Sequence, residues 1–153
     1  MTNNDILRRL RYTFNFNDSK MVSVFALANM KTTKPQIENW LKKEDDEGYD
    51  RISDFDLATF LNGFIVENRG IKDGKIPQAE DELDNNLVLR KLKIALNLKD
   101  TDMIEILQLA DFRLGKAELS AFFRNPSHKH YRKCKDQILR NFLQGLQIKY
   151  RKK

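Results

Sequence analysis

The two histidines and the single cysteine of the chain are the residues best suited to metal chemistry, and they lie in one short segment. Their spacing is His128-x-His130-x3-Cys134. This spacing matches no zinc-binding signature, and it lacks the fourth ligand that a structural zinc site needs. Cys134 also aligns with Ile52 when the chain is compared with itself, which indicates a half-buried apolar position. The sequence therefore predicts no metal site and no cofactor.

A run of four acids, Glu44, Asp45, Asp46 and Glu47, is the next candidate for chemistry. It lacks the alternating spacing and the central glycine of a calcium-binding loop, so it is better interpreted as a solvated surface. The chain has no glycine-rich phosphate loop and no nucleophile or zinc-protease motif. Carboxylate acid–base chemistry stays open, because 22 acids offer many pairs and nothing singles one out. We expect a protein that binds rather than an enzyme.

These residues are positioned by an internal repeat. When the chain is shifted by 82 residues, segment 3–70 aligns with segment 85–152 without a gap, with 18 identities in 68 pairs. Unrelated segments of this composition would give roughly four to six. The sequence therefore predicts a duplication, with a first repeat at 1–70, an acidic linker at 71–84 and a second repeat at 85–153.

The hydrophobic periodicity of each repeat indicates four amphipathic helices, which predicts an all-α fold. In the first repeat the helices are expected at about 5–16, from Asp18, from Thr33, and from Ser53 to Gly70. Asp100 and Gly115 are the expected caps in the second. The expected core residues are Ile6, Leu7, Leu10, Phe14, Met21, Val22, Phe25, Ala28, Ile37, Trp40, Leu41, Phe55, Leu57, Phe60, Leu61, Phe64, Val88, Leu92, Leu96, Met103, Ile106, Leu107, Leu119, Phe122, Phe123, Ile138, Phe142, Leu143 and Leu146.

Two features predict how these helices pack. Gly63 and Gly145 occupy matched positions inside the fourth helix of each repeat. Glycine there costs about 1 kcal/mol relative to alanine, which indicates that another helix crosses closely. A 70-residue unit is marginal by itself, so we expect the two repeats to pack on each other with approximate two-fold symmetry. The linker is too polar to form a buried element.

The two repeats differ most in charge. Net charge is −1 for residues 1–70, −3 for 71–84 and +10 for 85–153. The contrast is sharpest in the loop before the fourth helix, where the acidic run of the first repeat is replaced by a basic segment in the second. That candidate interaction surface comprises Glu44, Asp45, Asp46, Glu47, His128, Lys129, His130, Arg132 and Lys133. Three interpretations compete: solvated loops, complementary surfaces that meet, or a basic half that holds a polyanion.

The polyanion interpretation predicts a patch on the second repeat, made of Arg90, Lys91, Lys93, Lys135 and Arg140. The tail residues Lys149, Arg151, Lys152 and Lys153 could extend it. Nucleic acid is the polyanion considered, although aromatic residues suited to base stacking are few.

The start of the chain has no apolar segment typical of a signal peptide, and its longest nearly apolar run, 21–30, is too short to cross a bilayer. With a single cysteine, this predicts a cytoplasmic protein without membrane contact.

Four stretches resemble the YehS family of small bacterial proteins of unknown function with a duplicated domain. They are residues 3–8, 40–49 (the segment WLKKEDDEGY), 60–63 (FLNG) and 85–92 without Leu87. The resemblance implies a bacterial cytosolic source and carries no activity, ligand or catalytic residue. We therefore expect a protein-interaction or regulatory module that uses the loops of inverted charge to bind a protein partner or a second copy of itself. The alternative is nucleic-acid binding by the second repeat.

Overall fold

The computed structural model describes residues 1–151, which form eight α-helices joined by loops. The helices of the first repeat are α1 (Asn3–Phe14), α2 (Asp18–Leu27), α3 (Lys34–Leu41) and α4 (Asp54–Arg69); those of the second are α5 (Asn85–Ala95), α6 (Asp100–Leu109), α7 (Lys116–Ala121) and α8 (Asp136–Tyr150). The predicted all-α fold of two four-helix units is confirmed. No helix in this described part is long and apolar enough to cross a membrane.

Helix starts in the first repeat follow local capping chemistry. The side chains of Thr2, Asn17, Thr33 and Ser53 each accept a hydrogen bond from a backbone N–H of the first helical turn. Thr33 and Ser53 had been predicted. Asp18 and Asp100 are instead the first residues of α2 and α6, one position after their caps. Gly115 caps α7 as expected.

Each repeat is held together by a close crossing of its second and fourth helices. A Cβ built on Gly63 of α4 would lie 2.0 Å from the carbonyl oxygen of Val24 in α2. A Cβ on Gly145 of α8 would lie 2.0 Å from the carbonyl oxygen of Ile106 in α6. Val24 and Ile106 are separated by 82 positions, which is the spacing of the repeat, so the same helix crossing occurs in both repeats. The close approach predicted from the paired glycines is confirmed.

The two repeats pack on each other reciprocally, since α1 contacts α8 and α4 contacts α5. Matched hydrogen bonds show the symmetry. Arg69 donates to the side-chain oxygen of Asn97 at 2.7 Å, and Arg151 donates to that of Asn15 at 3.3 Å. Both members of the second pair lie 82 positions from their counterparts, as approximate two-fold symmetry requires.

The core contains most of the predicted residues, with some corrections. Phe55 was expected to be buried but is 45% exposed, because the first turn of α4 projects it into solvent. The partly buried residues of the predicted set are Phe14, Val22, Ala28, Leu41, Leu96, Phe123 and Ile138. Val24, Leu89 and Leu139 are buried although they were not predicted. Helix α1 begins at Asn3 and ends at Phe14, two residues earlier at each end than expected.

The linker runs over the surface of the α4–α5 pair. Most of its side chains are exposed, as predicted from its polarity. It is nevertheless attached, because Asn62 of α4 donates to the carbonyl of Pro77 at 3.0 Å and Asp54 accepts from the backbone N–H of Leu83 at 2.9 Å. The linker therefore covers one junction between the repeats.

Candidate binding surfaces

The two loops of inverted charge share the backbone hydrogen bonds of their turns, although Gly48 has a φ of +85° and the matched residue, His130, does not have a positive φ. In the acidic loop, residues 42–51, the N–H of Asp50 donates to the carbonyl of Asn39 at 3.2 Å. In the basic loop, residues 124–133, the N–H of Arg132 donates to the carbonyl of Ala121 at the same distance. Two further turns in each loop are matched, at Asp46 and Tyr49 and at His128 and Tyr131. The two charge patterns are therefore presented by loops with the same turn hydrogen bonds.

A buried asparagine of the first helix fixes each loop. The side-chain amide of Asn4 donates to the carbonyls of Trp40 and Asp50 at 2.9 and 2.8 Å, and its oxygen accepts from the N–H of Ile52. The side chain of Asn86 makes the same three bonds, to Phe122, Arg132 and Cys134. Because unpaired buried carbonyls are costly, each asparagine ties both ends of its loop to the helix bundle. The repeat alignment had shown these residues as identities without indicating this role.

The acidic loop presents its four predicted residues together on the surface. Glu44, Asp45, Asp46 and Glu47 are all exposed. Asp46 has a local role as well, since its carboxylate accepts from the backbone N–H of Lys43 at 3.0 Å. The other three carboxylates make no hydrogen bond or ion pair with the described residues, so they are available to a partner.

The basic loop also exposes its predicted residues: His128, Lys129, His130, Arg132 and Lys133. The Nδ1 atom of His128 accepts from the backbone N–H of His130, and Arg132 lies 3.7 Å from Glu118. Within residues 1–151 no hydrogen bond or ion pair joins the two loops. Their complementarity is therefore not used inside the chain.

Cys134 is buried, and its environment does not suit metal binding. Burial, followed by the negative charge of Asp84, raises the pKa of the Cys134 thiol to about 12, so the thiolate that metals bind is disfavoured. Across residues 1–151 no group of three or more histidine, cysteine, aspartate or glutamate side chains is placed to hold a metal ion.

The predicted polyanion patch needs correction at Lys91, which is buried and cannot contribute to a surface. Its ammonium donates to the side-chain oxygen of Asn62 at 2.7 Å and pairs with Glu80 of the linker at 2.9 Å. Lys93 pairs with Asp100 at 2.7 Å and lies over the ring of Phe123.

The other predicted patch residues are exposed but dispersed. Arg90 donates to the carbonyl of Phe123 at 2.5 Å. Lys135 is exposed just before α8, and Arg140 is exposed at the junction of α1 and α8. Of the tail residues, Lys149 lies over Tyr150 and Arg151 over Tyr12, whereas Lys152 and Lys153 fall outside the described residues.

The structure also pairs a cation with a side-chain amide at each junction between the repeats, which the sequence did not predict. Arg9 of α1 donates to the side-chain oxygen of Gln144 in α8 at 2.8 Å, and Lys91 with Asn62 is the two-fold-related pair. The repeat alignment contained a signal for these pairs. Positions 9 and 91 are both cations, and positions 62 and 144 are both side-chain amides.

Fold and surface define a class of protein: an all-helical internal duplication whose two repeats share their interiors and carry opposite charges on matched loops. The chain belongs to the family described as "Protein of unknown function (DUF1456)", whose model matches residues 3–70 and 85–152. It is 47% identical over 148 residues, 95% of this chain and 94% of the relative, to the "Uncharacterized protein YehS" of Escherichia coli (strain K12). No solved structure matches the chain significantly. The resemblance drawn from the sequence and the predicted duplication are confirmed.

Proposed function

We propose that the protein is a non-enzymatic interaction module in which the acidic loop of one molecule binds the basic loop of another. The observation that carries this proposal is the opposite charge of two exposed loops that share the same backbone hydrogen bonds. If the loops served only to connect helices, they would not need opposite charges.

Electrostatic complementarity supplies the physical basis. Several exposed charges of one sign facing several of the other raise the rate of encounter and disfavour contact between like surfaces. Because the two loops are different surfaces of one chain, pairing them between molecules gives a head-to-tail contact. The resulting assembly should grow with concentration and weaken as salt screens the charges.

The test uses two charge-reversed variants. One carries Glu44→Lys, Asp45→Lys and Glu47→Lys; the other carries Lys129→Glu, His130→Glu and Lys133→Glu. Asp46 and His128 stay unchanged because they hold their loops by local hydrogen bonds. A control variant carries Asp81→Lys, Glu82→Lys and Glu105→Lys. It changes the net charge by the same amount as the first variant, at exposed positions outside both loops.

Sedimentation at about 0.05 M and about 0.5 M salt provides the readout. Wild type and the control should associate at low salt, each reversed variant alone should lose at least about tenfold in association, and a mixture of the two should recover it. A wild-type chain that stays monomeric at low salt, or a mixture that does not recover, would contradict the proposal.

Nucleic-acid binding by the second repeat is the second candidate function. It is favoured by three exposed cations, Lys129, Lys133 and Lys135, in one segment that leads into α8. Labelled duplex and single strands would be titrated at two salt concentrations. Binding should weaken steeply with salt and should be lost when the three lysines are changed to glutamate. Absence of salt-sensitive binding at low ionic strength would eliminate this candidate.

A further inference from the structure

The two-fold symmetry of the helices creates two related grooves between the repeats, and the linker crosses only one of them, where a cavity of about 620 Å³ remains between the linker and the helices. The covered groove lies between α4 and α5, beneath the linker. The open groove lies between α1 and α8 and forms a cavity of about 490 Å³ lined by residues that include Arg8, Arg9, Tyr12, Arg140 and Gln147. No linker segment crosses it within residues 1–151.

In the covered groove the linker makes two polar contacts with the helices in addition to the hydrogen bond between Leu83 and Asp54. The side-chain amide of Asn62 donates to the carbonyl of Pro77, and the ammonium of Lys91 pairs with the carboxylate of Glu80. Lys91 also donates to the oxygen of Asn62, which orients that amide toward the linker. The groove thus recognises an extended peptide by one backbone carbonyl and by one carboxylate three residues later.

The open groove has an equivalent of each recognition element: Arg9 lines its cavity, and Gln144 is hydrogen-bonded to Arg9 beside the lining residues. Gln144 stands where Asn62 stands in the other groove, and Arg9 stands where Lys91 stands. Arg9 donates to the side-chain oxygen of Gln144 at 2.8 Å, which leaves the amide nitrogen of Gln144 free to donate. The same pair of donors is therefore present, but no linker segment lies against it.

Arg9 of the open groove lacks the carboxylate that Lys91 has in the covered groove, although Asp5 lines the open groove and Asp136 interacts with Arg140. Arg8 pairs with Asp5, but Arg9 forms no ion pair with any described residue, and its buried Nε atom has no hydrogen-bond partner there. Burial lowers the pKa of the Arg9 guanidinium, as expected for a cation withdrawn from water without a neighbouring carboxylate. Arg140 adds a second cation, at the position that alanine, Ala58, occupies in the covered groove.

We propose that the open groove binds an extended acidic segment of a partner protein, in the way that the covered groove binds the linker. Arg9 and Arg140 hold a glutamate or aspartate carboxylate of that segment. Gln144 donates to a peptide carbonyl three residues before it. This proposal concerns a surface other than the two loops and does not rest on the function proposed for them.

The chain itself supplies the probe for a test. A labelled peptide of residues 75–83, KIPQAEDEL, carries both groups that the covered groove recognises. It should bind the full-length protein at low salt, and weakly, because the tethered linker has the advantage of high effective concentration. A peptide in which the glutamate at position 80 is replaced by glutamine should bind at least about tenfold more weakly.

Protein variants would locate the binding site. Arg140→Ala, at an exposed position, should weaken peptide binding about fivefold or more, and Arg9→Gln about tenfold or more. Arg132→Ala removes an exposed cation outside the groove and should leave binding unchanged. Thermal unfolding would check that Arg9→Gln is folded, and Arg140→Ala keeps the test decisive if it is not.

Three results would overturn the proposal: no saturable binding of the peptide, equal binding of the glutamine peptide, or binding that survives both groove variants. The last result would mean that the peptide displaces the linker or binds elsewhere. Inorganic phosphate or free glutamate that binds the groove as tightly as the peptide would also overturn it, in favour of a small-anion site.

Discussion

The first and second repeats agree in their interiors and differ at their surfaces. Gly63 and Gly145 make the same close helix contact, and Asn4 and Asn86 make the same hydrogen bonds to their loops. In contrast, the loop charges are opposite, and only one of the two grooves is covered by the linker. After duplication of one unit, contacts with little room for change are still matched, whereas solvent-facing positions differ. Because the repeats are otherwise alike, matched substitutions can be compared directly.

The largest expected effect tests the shared interior. Gly63→Ala and Gly145→Ala should each lower the free energy of unfolding by about 3 kcal/mol or more, because the new methyl group would overlap a backbone carbonyl. The two losses should agree within about 1 kcal/mol if the repeats unfold together. Chemical denaturation would measure both.

Gly115→Ala provides the matched control. The nearest atom to a Cβ at that position is the Oε1 of Glu118, at 3.1 Å, at the end of a flexible side chain. Its effect should stay below about 1 kcal/mol. A loss at Gly63 or Gly145 no larger than this control would show that the two helix crossings relax easily.

An intermediate effect tests the difference between the grooves. Glu80→Ala removes the carboxylate that pairs with the buried ammonium of Lys91 and should destabilise the protein by about 2 kcal/mol. A Lys91→Met change in the same chain should recover most of this loss, because the uncompensated charge is then gone. Thermal unfolding of the single and double variants gives the coupling energy.

Two neighbouring acids of the linker provide the matched control. The exposed linker acids Asp81 and Glu82 have no ion pair within residues 1–151, so Asp81→Ala or Glu82→Ala should change stability by less than about 0.5 kcal/mol. If Glu80→Ala changed stability as little as these controls, the carboxylate of Glu80 would not hold the linker. The covered groove would then no longer support the binding mode proposed for the open groove.

The smallest expected effect distinguishes the two loops. The hydroxyl of Tyr49 donates to the side-chain oxygen of Asn4 at 3.2 Å, whereas Tyr131 makes no such bond to Asn86. Tyr49→Phe should therefore cost about 1 kcal/mol and Tyr131→Phe close to nothing, as measured by denaturant unfolding. Equal effects would contradict this difference between the repeats.

Much of the fold followed from local pattern. Thr33 and Ser53 were recognisable as caps, because a side-chain oxygen before a helix satisfies its first free N–H groups. The paired glycines predicted a close crossing, since a glycine inside a helix is otherwise unfavourable. Phe55 was wrongly predicted to be buried, because helical periodicity alone does not show that the first turn of α4 extends beyond the core.

The candidate surfaces were only partly predictable. Exposure of the loop residues Glu44 and Lys129 followed from the density of charge around them. Burial of Lys91 did not, because lysine is almost never fully buried unless paired. Its partners come from α4 and from the linker, and no spacing within α5 indicates either of them.

The sequence by itself determined the duplication, the helices and their caps, and the charge difference between the loops, because these depend on residue types at short or fixed separations. Only the tertiary structure decided which basic residues face solvent and which groove stays open. The two grooves are related by symmetry and have similar donors. What distinguishes them is the path of residues 71–84 across the surface, and that path depends on contacts between segments far apart in the chain.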